Sequence, residues 1–423
     1  MTPYRKLRGA VCLYCLALIV LVVTAASPAV AAKKKRSPAK ATLNIRASHL
    51  GNDPLTRSGF EHFYNMEYDK ATRNFEAVLA EHPDDPFAVN HLLTAVLFKE
   101  LYRIGALDSE IYANDNFMTA RQLAVDPQVR ARIRELTERS LALSEARLKQ
   151  NPDDVDALYA RGVTRATRST AMGLLDKSWF AALRSALGAR RDHERVLELD
   201  PTYTDAKMVV GIHNYVLGSL SWAVKAAAAV VGISGNKQKG IQYLFEAAQG
   251  SGEASVDAKI ALSLFLRREQ RYAEAIQLVG GLVQDYPRNF LVALEYANLQ
   301  NAAGHGPEAI AAYRKLLAAG RRGLYTEPRL EQAAYMLGEA LRGQNDFTGA
   351  AAAFESVNDF SNVEPELTER ADLAAGQMYD VLEKRELAVK KYQQVIAAND
   401  RSWRAALARK YMKRPYRGPE RKS

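Results

Sequence analysis

Cysteine is almost absent: the 423 residues hold two, Cys12 and Cys15, both inside the first sixteen positions. If that segment is removed, the chain has no thiol, which excludes disulfides, thiolate metal sites and cysteine nucleophiles together. Histidine is scarce as well. The seven (His49, His62, His82, His91, His193, His213 and His305) form no H-E-x-x-H, and none is placed i, i+4 with another ligand type in a recognised metal pattern. The sequence has no G-x-S-x-G elbow. Its glycine-rich stretch GISGNKQKG, 232–240, lacks the G-x-x-x-x-G-K-[ST] order and follows no strand, so it reads as a turn between helices. Asp192, His193 and Glu194 are adjacent, so on a helix they point in different directions and read as a solvated face. The acidic pairs Asp84-Asp85 and Asp153-Asp154 sit where helices start and favour the positive end of the helix dipole. Nothing here names a catalytic residue, a cofactor or a metal.

Long apolar runs are also few. Ala10–Val23, AVCLYCLALIVLVV, is fourteen residues, short for a bilayer span of about 20. It follows basic Arg5, Lys6 and Arg8 and precedes TAASPAVAA, whose small residues fit cleavage near Ala31 or Ala32. That is the layout of a secretory signal peptide over 1–32, with an uncleaved anchor as the alternative. An exported chain, periplasmic or envelope-associated, is therefore expected. Residues 33–50 carry six basic and no acidic side chains and read as a flexible basic linker; residues 401–423 carry nine basic side chains against Glu420. With a net charge of +10 overall, the body 51–400 is left acidic. The basic ends suit an anionic membrane surface. Nucleic acid is not expected, because neither a basic body nor a known module is present.

What the chain does contain is repetition. In GQMYDVLEKRELAVKKYQQVIAAND, 376–400, Gly376 is followed by Tyr379, Ala388, Tyr392 and Val395. Ala350, Phe354 and Val357 repeat the spacing, with Gly338 twelve residues before Ala350. Ala309, Tyr313 and Leu316 repeat it again, as do Ala275 and Val279, and near the start Gly59, Ala71 and Phe75. The marker positions 240, 275, 309, 350 and 388 are 35, 34, 41 and 38 residues apart. Small residues let two helices approach, and the bulky one fills the gap toward the neighbouring unit. A single unit cannot bury such a face, so copies stack.

The pattern resembles the tetratricopeptide repeat (TPR) family. The resemblance covers about residues 51–400, as regular units over 241–400 and irregularly over 51–240. It implies an all-α fold, a right-handed superhelical α-solenoid of helix–turn–helix units, with long insertions in the N-terminal half near 106–126 and an apolar 216–233 stretch. The 401–423 end is expected as a capping helix and, beyond Arg414, a disordered tail. The family's groove positions fall on Leu291, Leu294, Asn298 and Asn301, on Gln332, Tyr335, Glu339 and Arg342, and on Arg370, Leu373, Gln377 and Asp380. This mix suits an extended peptide or helix, so the resemblance implies a non-catalytic scaffold binding one or more proteins. The alternative is a peripheral membrane protein held by its basic ends and by Trp222, Val230 and Val231 of the apolar stretch.

Overall fold

The computed structural model describes residues 50–107, 124–220, 222, 225 and 234–418. Among them every regular element is helical: 17 α-helices, one short 3-10 turn and no strand. Backbone contacts divide the chain into two compact units, Met1–Phe265 and Leu266–Ser423. The first holds α1 (Pro54–Tyr64), α2 (Tyr68–Glu81), α3 (Pro86–Arg103), α4 (Pro127–Gln150), α5 (Val155–Leu174), α6 (Trp179–Leu199), α7 (Ala206–Gly218), α8 (Lys237–Ala248) and most of α9 (Ser255–Arg268). The second holds α10 (Tyr272–Asp285), α11 (Phe290–Ala302), α12 (Gly306–Arg321), α13 (Leu330–Gly343), α14 (Phe347–Glu355), α15 (Pro365–Val381), α16 (Arg385–Ala398) and α17 (Trp403–Lys413).

From α1 to α8, and again from α10 to α17, each helix packs on its successor. In the second unit α11, α13, α15 and α17 also touch in turn, so alternate helices make one continuous face. In the second unit these contacts run only between near neighbours, which is the packing of an α-solenoid.

The repeat spacing has a steric cause. A Cβ added at Gly376 would lie 2.6 Å from the Tyr392 ring, and one at Gly338 would lie 2.5 Å from Phe354. Gly59 stands under Phe75 in the same way. Each pair is sixteen residues apart, one glycine on the first helix and one ring on the second. Tyr392 was expected to reach toward the next unit. Its ring covers Gly376 within its own unit, and it also meets Tyr411 of α17 with centroids 5.8 Å apart.

The turn inside each unit is equally regular. Met66, Gln270, Gly304, Asn345 and Glu383 have φ of 61°, 59°, 82°, 63° and 59°. Each stands five residues before the fully buried alanine marker, Ala71, Ala275, Ala309, Ala350 or Ala388. At the last turn the Glu383 N–H donates to Asp380 O (3.1 Å) and the Lys384 N–H to Tyr379 O (2.8 Å), the paired bonds of a Schellman cap. Only Gly304 is a glycine. A left-handed conformation costs an L-residue about 1–2 kcal/mol, against about 0.5–1 kcal/mol of extra chain entropy for glycine. Replacing exposed Glu383 with glycine is therefore expected to stabilise the second unit by about 0.5–1 kcal/mol in urea unfolding. An unchanged or lower midpoint would mean that the turn is not strained.

Unit boundaries follow the acidic and proline residues. Asp85 and Asp154 accept the N–H groups of Phe87 (2.9 Å) and Ala157 (3.1 Å) and cap α3 and α5. His82, Asn151, Asp200 and Tyr286, each just before a proline, have φ between −126° and −136° and stop α2, α4, α6 and α10.

Two expectations are corrected. Asp192 and His193 do not form a solvated face, because both turn inward from α6 onto α5. The Asp192 carboxylate accepts from Arg161 (2.7 and 3.1 Å) and Arg165 (2.7 Å), and the His193 ring fills the space left by Gly162. Glu194, by contrast, pairs with Arg190 at 2.8 Å. Beyond Arg414 the chain is held at Tyr416. The Tyr416 N–H donates to Asp380 Oδ2 (2.8 Å), and its ring meets Tyr411 edge-on, centroids 5.3 Å apart. The core of the 106–126 insertion, residues 108–123, lies outside the described residues, as do Val230 and Val231. Trp222 is 83% exposed. Among the described residues no helix is long and apolar enough to cross a membrane.

Candidate partner-binding groove

The continuous face of the second unit carries a pocket of about 370 Å³. Helix α13 contributes Tyr335, Met336, Glu339 and Arg342. Helix α15 contributes Arg370, Leu373, Ala374 and Gln377, and α17 contributes Trp403, Arg404 and Leu407. On each helix these residues recur three or four apart, which places them on one side. Their opposite sides hold the buried Ala340, Ala375 and Ala405.

Charge in the groove is largely organised in place. Arg342 is paired with Glu339 one turn before it. Arg404 binds Glu366 at 2.8 Å and Glu369 at 3.6 Å, and its guanidinium lies 4.7 Å from the Trp403 ring centroid. The Arg370 guanidinium lies 4.5 Å from the Tyr335 centroid. Burial, then the neighbouring Glu339 carboxylate, pushes the Tyr335 hydroxyl above its ordinary value, so it stays protonated and able to donate. Trp403 is 64% exposed, an unusual state for so large an apolar ring.

Of the expected groove residues, Tyr335, Glu339, Arg342, Arg370, Leu373 and Gln377 share this lining. Gln332 is half-buried on α13 outside the lining, and Asn301 is exposed near the end of α11. Leu291 is half-buried and Leu294 buried on α11, also outside it. Asn298 and Asp380 point inside their units instead. Asn298 accepts the Tyr313 hydroxyl (2.7 Å). Asp380 accepts the Tyr392 hydroxyl (2.7 Å), Arg385 (2.6 Å) and the Tyr416 N–H. Both are consumed by holding the second helix to the first.

The contribution of α17 escaped the sequence reading, which took that helix as a cap. The signal was available. One 34-residue step from Arg370 and Leu373 lands on Arg404 and Leu407, so α17 repeats the groove-facing helix of a unit.

Residues 294–361 match the family model for the tetratricopeptide repeat. This chain carries tetratricopeptide repeats. The matched segment runs from α11 through the end of α14 and supplies α13, the first wall of the groove. No curated protein matches the chain. Among solved structures, Pseudomonas aeruginosa PilF is similar at 16% identity over 58% of this chain and 98% of that one, with a TM-score of 0.35. A tetratricopeptide repeat protein from Parabacteroides merdae is similar at 14% identity over 77% and 98%, with a TM-score of 0.31. At these scores neither structure's partners nor activity carries over.

Proposed function

We propose that this chain is an exported, non-catalytic scaffold of a bacterial cell envelope whose α13–α15–α17 groove holds a segment of a partner protein. Tetratricopeptide repeats support a scaffold for protein interactions. The observation carrying the finer reading is the groove itself: three stacked helices offer an open face with an exposed indole and an exposed guanidinium. The lining has one carboxylate, already paired with Arg342, and no serine, cysteine, histidine or lysine, so it suits binding rather than bond-breaking. Export rests on the basic start, apolar run and small residues of 1–32.

A photocrosslinking amino acid in place of Gln377 tests this in living cells. One or two proteins recovered in constant ratio from the soluble envelope fraction are expected. Recovery only with membranes, and no repeatable protein, would overturn it. That outcome would favour the second reading, in which exposed Trp222 and Phe180 (52% exposed) rest on a bilayer together with the basic ends. Release by salt would then assign the attachment to the basic ends, and release only by detergent to the apolar stretch.

A further inference from the structure

Past the end of α17 the chain turns back toward the groove. Arg414 takes φ −135° and ψ 109°, so the backbone leaves the helix extended. From Lys413 to Tyr416 an extended chain covers about 10 Å, one helix-to-helix spacing. That step sets Tyr416 over α15, where its N–H donates to Asp380 Oδ2 at 2.8 Å. On one side its ring meets Tyr411 of α17. On the other stand the charges of α13. Burial raises the Tyr416 hydroxyl above its ordinary value, the Arg342 guanidinium opposes this and the Glu339 carboxylate adds to it. Gly418, with φ of 94°, then bends the chain. Residues 414–418 thus lie across the stacked helices as an extended peptide would. Their anchor belongs to the fold. The Asp380 carboxylate also accepts Arg385 (2.6 Å) and the Tyr392 hydroxyl (2.7 Å), and Arg385 donates to the Tyr411 (2.8 Å) and Met412 (2.6 Å) carbonyls at the end of α17. The strap itself is lightly held. Arg414, Pro415 and Arg417 are exposed and Tyr416 is half-buried, so it can lift without opening the core.

Gln377 lines the groove and Asp380 follows it by three residues on the same side of α15, about 4.5 Å further along the axis. Two extended backbones come no closer than about 4.7 Å even when they are paired. A segment seated on Gln377, with its side chains, therefore needs space that the strap holds. We propose that residues 414–418 are an autoinhibitory strap: this chain's own segment occupies one edge of the α13–α15–α17 groove, and a partner segment displaces it in order to seat. This rests on the groove reading above and adds its regulation.

The probe is a library of random dodecapeptides displayed on phage, selected in parallel on the purified full chain and on its full-length Y416P variant. Proline removes the N–H and the ring together. The best peptide from the Y416P selection, made synthetically, should bind Y416P at least about tenfold more tightly than wild type, the effect of one hydrogen bond to a charged group. Y416A keeps the N–H and loses only the ring, and should bind the peptide about threefold more tightly than wild type. The strap lies outside every helix, so both variants should keep the wild-type helical circular dichroism. Should Y416P lose helix, the Y416A comparison decides alone. W403A should weaken the peptide in each background, because the exposed Trp403 belongs to the groove and not to the strap. Peptides that depend on Trp403 yet bind wild type and the Tyr416 variants equally would overturn the strap and leave the groove reading standing. A lower urea midpoint in Y416P with unchanged affinity would likewise overturn it and make the segment a brace of the last helices. No peptide from either selection, or peptides indifferent to W403A, would overturn the groove reading and the strap with it.

Discussion

Replacing Gly376 with valine is expected to lower the stability of the second unit by about 3–5 kcal/mol, seen as an earlier transition in urea. Two effects compete at this position. Any residue with a Cβ gains up to about 1 kcal/mol of helix propensity over glycine. Against it stands the Tyr392 ring, 2.6 Å from where that Cβ must go. The ring has nowhere to move, because it is fully buried and its hydroxyl is bonded to Asp380 at 2.7 Å. Overpacking a filled site costs about 1–3 kcal/mol, and a displaced hydroxyl leaves the buried Asp380 short of a donor at about 1–3 kcal/mol more. Strain therefore wins over propensity. Gly281, on α10 with nothing within 4 Å of an added Cβ, is the control. There propensity acts alone, and Gly281→Ala should stabilise by about 0.5–1 kcal/mol. If Gly376→Val unfolds within about 1 kcal/mol of wild type, the ring has an escape and the glycine–ring pair does not define the unit.

That pair explains why the repeats were legible. A glycine sixteen residues before a ring, with a buried alanine between, is a steric requirement that only a few residue types satisfy, so it leaves a mark at Gly59, Gly338 and Gly376. The left-handed turn leaves almost none. Met66, Gln270, Asn345 and Glu383 adopt it where a glycine would have announced it, because the Schellman bonds and the packed helices on either side impose the conformation. Asp192 and His193 were misread for a different reason. Helices α5 and α6 span 20 and 21 residues, longer than those of the regular units. The period therefore gave no register for the pair, and adjacency alone suggested solvent. In the groove, Arg370 and Tyr335 could be placed by counting, whereas their stacking and the pairing of the other two arginines belong to three dimensions. Least legible is a polar cluster of the first unit, built from Tyr64, His91, Asp205, Glu253 and Asp257, which lie up to 193 residues apart.

That cluster sets the second large effect. Replacing Asp205 with asparagine is expected to stabilise the first unit at pH 8 relative to its effect at pH 4, by about 2–4 kcal/mol. Burial first, then the neighbouring Glu253 and Asp257 carboxylates, raises the Asp205 carboxyl from 3.8 to about 7, although the N–H groups of Ala254 and Glu253 partly oppose this. Burial raises Asp257 in the same way, to about 6, despite a bond from the Tyr64 hydroxyl. A carboxyl that holds its proton more tightly when folded contributes stability that is whole below 3.8 and is lost as pH climbs through about 7. Asparagine keeps an oxygen for the two N–H groups and never ionises, so it escapes that loss. The wild type alone would hide the slope. His213, fully buried and lowered to about 4, loses stability as pH falls below 6.5, the reverse of the carboxyls. Comparing D205N with wild type at each pH cancels His213 and reads Asp205 together with its coupling to Glu253 and Asp257. Their difference in unfolding free energy should grow by up to about 1.4 kcal/mol per pH unit between pH 4 and 7 and level off above it. A difference independent of pH would show that Asp205 ionises as readily in the fold as outside it, and that the cluster is not an electrostatic burden on the first unit.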